Sequence, residues 1–328
     1  MVFFLGRYYA HDRNGFIASQ LEIISMGCLG AFFIMTFPLL AIDIITGFGF
    51  LFSQSRDKLR SLAVVAGLLL TLFALVQGMR PPVIQNYTVY LPDLPEDLDK
   101  TTVVAISDTH IGSILGSEWL NNRITQVLDQ QPDLIFILGD FFEGHGTQET
   151  NLQQILQRLS APLGVWAVPG NHDSYGRDHH GMELLEKAGI QVLRNQLVQI
   201  KLGFNLIGVD HSRRKDRQSS IDTDFLKKIL ADLPKGATIF LSHKPKPQAV
   251  LEADKAGVGL MLSGHTHGGQ IWPFDYLTQR PFPYLEGLYE LNNMSLIVSR
   301  GTGTWGPRMR LWQPGEILCL TLRSGRKQ

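Results

Sequence analysis

Residues 23–42 form a run of twenty without a charged side chain, and beyond Asp43 the run continues apolar to Phe52. About 20 apolar residues in a helix span a hydrocarbon core about 30 Å thick, so such a stretch either crosses a membrane or must be buried on every face. A second uncharged stretch, Ser61 to Met79, is rich in Leu and Val and stops at Arg80-Pro81-Pro82, through which a helix does not readily continue. The pair predicts two transmembrane helices, about 23–50 and 61–79, joined by residues 53–60. The alternative is a helical hairpin buried inside a soluble protein, with helices apolar all round. A cleaved signal peptide fits poorly, because the first run starts late, is too long and is followed by another.

Charge divides the chain at the same place. Lys plus Arg and Asp plus Glu are 30 each, a net of zero, so no basic excess points to nucleic acid. Ten of these charges fall in residues 1–80 and fifty in the rest; only the second part has the charge density of a soluble surface. Residues 1–82 therefore read as a membrane anchor and 83–328 as one soluble domain. Arg56, Lys58 and Arg60 lie between the helices, against Arg7, Arg13 and Arg80 on the other side. The positive-inside rule tips the connecting loop toward the cytoplasm, and the soluble domain of an inner or plasma membrane protein toward the outside. Asp43 is either a polar contact between the helices or an interfacial residue. Cys28 and Cys319 give neither a disulfide framework nor a Cys-x-x-Cys metal site.

From Val83 the pattern becomes short β-branched runs separated by Gly, Pro and Asn, with helix-period stretches between, the signature of an α/β or α+β domain. Strands are predicted at Thr102–Ser107, Asp133–Gly139, Gly164–Pro169, Asn205–Val209, Ala237–Ser242, Gly259–Ser263, Ser295–Ser299 and Glu316–Leu322. Ser117 reads as the N-cap of a helix carrying Leu120, Ile124, Val127 and Leu128 at helical spacing, and further helices are predicted near 148–159, 180–188, 222–231 and 247–255.

Polar clusters follow five of these strands: Asp108-Thr109-His110, Gly139-Asp140, Gly170-Asn171-His172-Asp173, Ser242-His243, and Gly264-His265-Thr266-His267-Gly268-Gly269-Gln270. Ligands of α/β proteins bind at strand ends gathered on one sheet edge. Hard oxygen donors mixed with imidazoles and no thiolate suit Mn, Fe or Zn, and two ions more readily than one. If these segments are extended, residues i and i+2 share a face, so Asp108 with His110 and His265 with His267 each present two ligands together. Any one cluster alone is an ordinary turn or cap. Five in succession, each at a strand terminus, are hard to explain by turns.

This order of motifs resembles the calcineurin-like metallophosphoesterase superfamily over roughly residues 100–325, and Gly264 to Gln270 with Ser299-Arg300-Gly301-Thr302-Gly303 is similar to its bacterial membrane-associated branch, some members of which remove UMP from UDP-2,3-diacylglucosamine. The resemblance implies a sandwich of two mixed sheets flanked by helices, here preceded by two transmembrane helices. It implies one ion on Asp108, His110 and His267, another on Asn171, His243 and His265, and Asp140 bridging both. Two ions about 3.5–4 Å apart clamp a phosphoryl group and lower the pKa of a shared water from about 15.7 toward about 7, which makes hydroxide the implied nucleophile. His172 would bond a phosphate oxygen or protonate the leaving alkoxide. Asp173 would either orient His172 or stabilise the loop. After Gly139-Asp140 relatives often carry Asp three residues on; here Glu143 stands there and is left out of the ligand set. His145, His179, His180 and His211 read as exposed loop histidines, with substrate contact the alternative, and Arg213-Arg214-Lys215 as a solvated loop. Arg300 and Arg308 are solvated or neutralise a diphosphate.

The function implied is a membrane-anchored two-metal phosphoesterase acting on a phosphodiester or pyrophosphate, with a lipid-linked substrate the economical use of two membrane helices. Trp272, Pro273, Phe274 and Tyr276 line an apolar groove, face the membrane as a rim, or are core, which is the default. The competing readings are a phosphomonoesterase, a nuclease, and a non-catalytic metal-binding membrane module.

Overall fold

The computed structural model describes residue 6 and residues 15–143, 151–173, 180–211 and 223–325. Two long helices come first, α1 (Phe16–Ile45) and α2 (Arg56–Met79). Both are long and apolar enough to be candidate membrane spans. The first starts earlier than the uncharged run and ends before Phe52: Gly47 and Gly49 adopt left-handed backbone conformations (φ 55° and 95°), so 46–55 is the turn and Arg56, Lys58 and Arg60 belong to α2. Asp43 is the contact between helices, accepting hydrogen bonds from Arg60 Nη2 at 2.7 Å and Nε at 2.9 Å.

The rest of the chain builds two six-stranded sheets. Strands β1 (Val83–Leu91), β2 (Thr102–Ile106), β3 (Leu134–Ile137), β4 (Val165–Ala167), β5 (Gln191–Val192) and β12 (Glu316–Ser324) form one sheet, ordered β1-β12-β2-β3-β4-β5. Strands β6 (Gln196–Lys201), β7 (Phe204–Gly208), β8 (Ala237–Leu241), β9 (Leu260–Ser263), β10 (Gly287–Glu290) and β11 (Ser295–Val298) form the other, ordered β10-β11-β9-β8-β7-β6. Both are mixed: β2, β3, β4 and β5 run parallel while β12 is antiparallel to β2, and β7, β8, β9 and β11 run parallel while β6 and β10 are antiparallel to their neighbours.

The short apolar runs are explained by burial on two faces. In β2, Val103 and Ala105 face the layer between the sheets, where they meet Phe136, Phe204, Ile239 and Leu262. Val104 and Ile106 turn the other way, onto Leu120, Ile124 and Val127 of α3 (Ser117–Leu128) and Leu152 of α4 (Leu152–Leu156). In the second sheet, Phe240 and Met261 face away from the sandwich layer, toward α6 (Thr223–Ala231) and α7 (Pro247–Lys255). With α5 (His180–Lys187) on the first sheet, each sheet carries helices on its outer face. Alternate residues thus serve two cores, and the central strands are mostly apolar. The residue flanking α3 is Gly116, with Ser117 already helical and making no side-chain cap.

The helical hairpin does not stand apart from this sandwich. Ile34 of α1 and Ala74 of α2 pack with Ile271, Met309 and Leu311 in a fourth buried cluster, and Arg310 N donates to Ala74 O at 2.9 Å. Ala74 is fully buried there. Ala74→Leu is expected to overpack this junction and cost about 1–3 kcal/mol, read as a lowered thermal midpoint of detergent-solubilised protein.

Candidate metal centre

The parallel strands β2, β3 and β4 end on one edge of the first sheet, and β8 and β9 on one edge of the second. The residues that follow meet there. Three groups of donors form among the described residues, each with its ligand atoms within 4.8 Å of one another: Asp108 with His110 and His267, Asp140 with His243 and His265, and His110 again with Glu143 and His172. The first two hold the predicted ligands. Each of those two combines both sheets. Asn171 is buried beside them, and the backbone N–H of its neighbour His172 donates to Asp140 Oδ1 at 2.7 Å.

The chain reaches this geometry by kinks, not by extended alternation. Asp108, His110, Asp140, His265 and His267 have φ of 52°, 47°, 49°, 72° and 52°, left-handed values that cost an L-residue about 1–2 kcal/mol. Asp and His tolerate this region better than most, and strain of this kind concentrates at functional sites. The kinks send His265 and His267 into different groups, so the expectation that they present their ligands together fails. Gly170 is required by close approach: a Cβ there would lie 2.1 Å from Asp140 Oδ1.

Within the first group, His110 Nε2 and His267 Nε2 are 3.2 Å apart, and His267 Nε2 is 3.5 Å from Asp108 Oδ1. Asp108 also accepts from Ser107 Oγ and from the backbone N–H of His265. In the second, His243 Nε2 lies 3.1 Å from Asp140 Oδ2, while its Nδ1 bonds Leu138 O at 2.8 Å. That second bond makes Nδ1 a donor and turns Nε2 toward the acid.

Glu143 belongs to this site. Its Oε2 sits 2.7 Å from His110 Nδ1 and 2.9 Å from His172 Nδ1, joining the two rings and orienting the Nε2 of His110 toward His267. Burial pushes its carboxyl up, but the bonds to His110 and His172 outweigh that and hold it at about 2. Asp173, in contrast, does not reach His172. Its Oδ1 accepts from the N–H groups of Phe141 and Phe142 at 2.9 and 3.0 Å and its Oδ2 from Gly170 N at 2.8 Å, so it ties the β3 and β4 loops together. Burial, then the charge of Asp140, raises it to about 6.

Burial holds His265 and His267 well below the ordinary histidine range, so both are neutral donors. His243 is opposite: burial lowers it, yet the Asp140 carboxylate raises it to about 9 and is itself held well below the usual range. The neutral imidazoles of His265 and His267, an acid in each group and ring nitrogens converging on one another and on carboxylate oxygens fit divalent cations of the Mn, Fe or Zn kind.

His211 is not an exposed loop residue. It is buried, with Nε2 bonded to Ser242 Oγ at 2.9 Å and its ring 6.3 Å from that of His243. The apolar neighbours Ile207, Val209 and Leu241 carried that signal. His145, His179, Arg213, Arg214 and Lys215 lie outside the described residues, as does the side chain of His180. Arg300 is engaged internally, 2.7 Å from buried Glu316 and 3.8 Å from Glu286. Arg308 flanks α2, its carbonyl against Gly78, away from the donor groups. Phe274 and Trp272 are not core: they pack on Phe33 and Phe37 of α1 with ring centroids 6.1 and 6.2 Å apart, and both remain partly exposed. Tyr276 is exposed beside them.

A profile described as calcineurin-like phosphoesterase matches residues 101–269, which hold every donor named above. The chain belongs to this family of metal-dependent phosphoester hydrolases. A zebrafish (Danio rerio) protein named transmembrane protein with metallophosphoesterase domain is 28% identical over 322 residues, covering 92% of this chain and 74% of its own. An uncharacterized metallophosphoesterase of Campylobacter jejuni is 33% identical over 264 residues, covering 79% of this chain and 68% of its own. Among solved structures, a dimetal phosphatase from Danio rerio aligns with a TM-score of 0.42 at 14% identity, over 62% of this chain and 88% of that one.

The raised His243 has a sign that can be tested. Its imidazolium stabilises the metal-free protein fully below its unfolded value of 6.5, and that contribution is lost as pH rises through about 9. Cation binding requires the neutral ring. Mn²⁺ uptake by metal-free protein at pH 7 is therefore expected to release about one proton or more, read as a buffer-dependent heat in titration calorimetry and reduced in His243→Asn.

Proposed function

We propose that the protein is a two-metal phosphoesterase held on the membrane by residues 1–82, with residues 83–328 as the catalytic domain, hydrolysing a phosphodiester or pyrophosphate. The observation that carries this reading is the pair of donor groups with His172 beside them, of which His110, His267, Asp140, His265 and His172 line one cavity of about 520 Å³. Asp108, His110 and His267 would hold one ion, Asn171, His243 and His265 the other, and Asp140 would bridge. Two divalent ions there would supply charge neutralisation for the phosphoryl oxygens and a water acidic enough to attack near neutral pH. The protein's own groups do the rest. Water attacks phosphorus, the P–O bond to the leaving group breaks, and His172, held by Glu143, gives the departing oxygen its proton. Asp173 maintains the loop from which His172 projects.

The substrate class we favour is lipid-linked, of the kind represented by UDP-2,3-diacylglucosamine, in an inner or plasma membrane with the catalytic domain on the outer side. Two candidate membrane spans and a relative named as a transmembrane protein support the anchoring. The first assay is Mn²⁺-dependent hydrolysis of a simple aryl phosphodiester by the solubilised full chain. Asp140→Asn is expected to abolish turnover with the circular dichroism spectrum unchanged. His172→Ala should keep both ions and lose about 10²–10⁴-fold in kcat; loss of both ions with normal activity per bound metal would remove His172 from the proton-donor role.

A further inference from the structure

The cavity above the donor groups has a chemistry of its own. One wall is Leu29 and Phe33 of α1; the facing wall is Phe274 and Leu277, in and beside α8 (Asp275–Thr278); Phe282 and Trp305 close the end near the metal centre. Phe282 stands edge-on to His265 with ring centroids 4.8 Å apart, and Trp305 lies 6.0 Å from His172. Apart from the donor groups at its floor, no described residue lining it carries a charge.

Its uncharged polar side chains are also spent. Thr266 Oγ1 donates to Leu285 O, Thr278 Oγ1 donates to Phe274 O, and Gln270 donates to the carbonyls of Trp305 and Pro307 while accepting from Trp305 N. Besides the indole N–H of Trp305, these described walls offer little polar surface. What they offer is apolar surface, in a volume within the range of about 300–1,000 Å³ typical of ligand sites.

The identity of one wall says what fills it. Helix α1 is a candidate membrane span whose most apolar stretch is left almost wholly uncovered by the rest of the protein. The rim beside it, where Phe274 and Trp272 pack on Phe33 and Phe37, leaves Trp272, Phe274, Tyr276 and Leu277 exposed by 41%, 42%, 61% and 51%. Aromatic rings at this level are the usual marker of a membrane interface. A cavity bounded by a membrane helix and by such a rim is continuous with the hydrocarbon phase on one side and with the donor groups on the other.

We infer that the cavity is a lateral port for the hydrocarbon part of a lipid phosphoester, which enters from the bilayer between α1 and the 271–282 segment and presents its phosphate to the metal centre. This rests on the phosphoesterase reading and adds the location of the chain: the hydrocarbon lies in this cavity, and the group on the far side of the scissile phosphate lies outside it. Leu277 and Phe274 are then specificity-determining residues.

The test is a series of alkyl 4-nitrophenyl phosphates with methyl, octyl and hexadecyl chains, assayed with the full chain in mixed micelles and Mn²⁺. kcat/KM is expected to rise by about tenfold or more along the series, the scale of discrimination an apolar pocket achieves. Partition into micelles would produce a rise too, so the deciding comparison is Leu277→Arg, in which the slope should collapse; Phe274→Ala serves as a second variant. A slope that is flat in the wild type, or equal in wild type and variants, overturns the port while leaving the hydrolase reading intact. A diazirine-bearing hexadecyl phosphate gives a readout independent of turnover: labelling within 271–282 and around Phe33 supports the port even if no ester is cleaved, and labelling confined to the outer faces of α1 and α2 overturns it.

Discussion

Buried charge dictates the shape of this molecule's working edge. Asp108, Asp140 and Asp173 are all withdrawn from solvent at the ends of neighbouring strands, and each must be compensated locally. Asp173 takes three backbone N–H groups, Asp108 the N–H of His265 and the hydroxyl of Ser107, and Asp140 the N–H of His172 and the ring of His243. Those bonds need backbone turned inward, which is why the loops kink into left-handed conformations immediately after buried strands. The sandwich supplies the rigidity against which such strain can be held. Relaxing one turn would leave a carboxylate unpaired in a dry interior.

The same constraint explains what could be read from the chain. The eight strands predicted from short apolar runs are the eight that have neighbours on both sides, buried on two faces. The four that escaped, β1, β5, β6 and β10, are the four sheet edges. Their patterns are half-exposed, as in Gln196-Leu197-Val198-Gln199-Ile200-Lys201, and β5 has two residues only. An edge strand is recognised by what it pairs with, and that is information distributed across the chain.

Residue types and their positions after strands were equally readable, since Asp, Asn and His at five strand ends carry their chemistry with them. Partnerships were not. Glu143 looked like a displaced carboxylate and is a link between two imidazoles; Asp173, adjacent to His172 in sequence, points away from it; His211 sits in a polar loop and is buried behind a donor. The partners of Glu143 and Asp173 depend on turns whose φ is positive at His110 and Asp140, and no periodicity announces such a turn. The rim of aromatic residues after His267 was legible only as apolar, its contact with α1 being a matter of packing.

Modularity is where one of these contacts has its largest consequence. The chain divides by composition near residue 82, yet Arg310 ignores that division: its backbone N–H bonds Ala74 in α2 while its guanidinium, buried, donates to the carbonyls of Arg300, Gly301, Gly303 and His267. A fragment cut free of its helices for convenience would strip Met309, Leu311 and Ile271 of their cover, open one wall of the cavity and loosen the loop that carries His267. The hairpin is in this sense one side of the cavity itself, supplied from the part of the chain that composition sets apart.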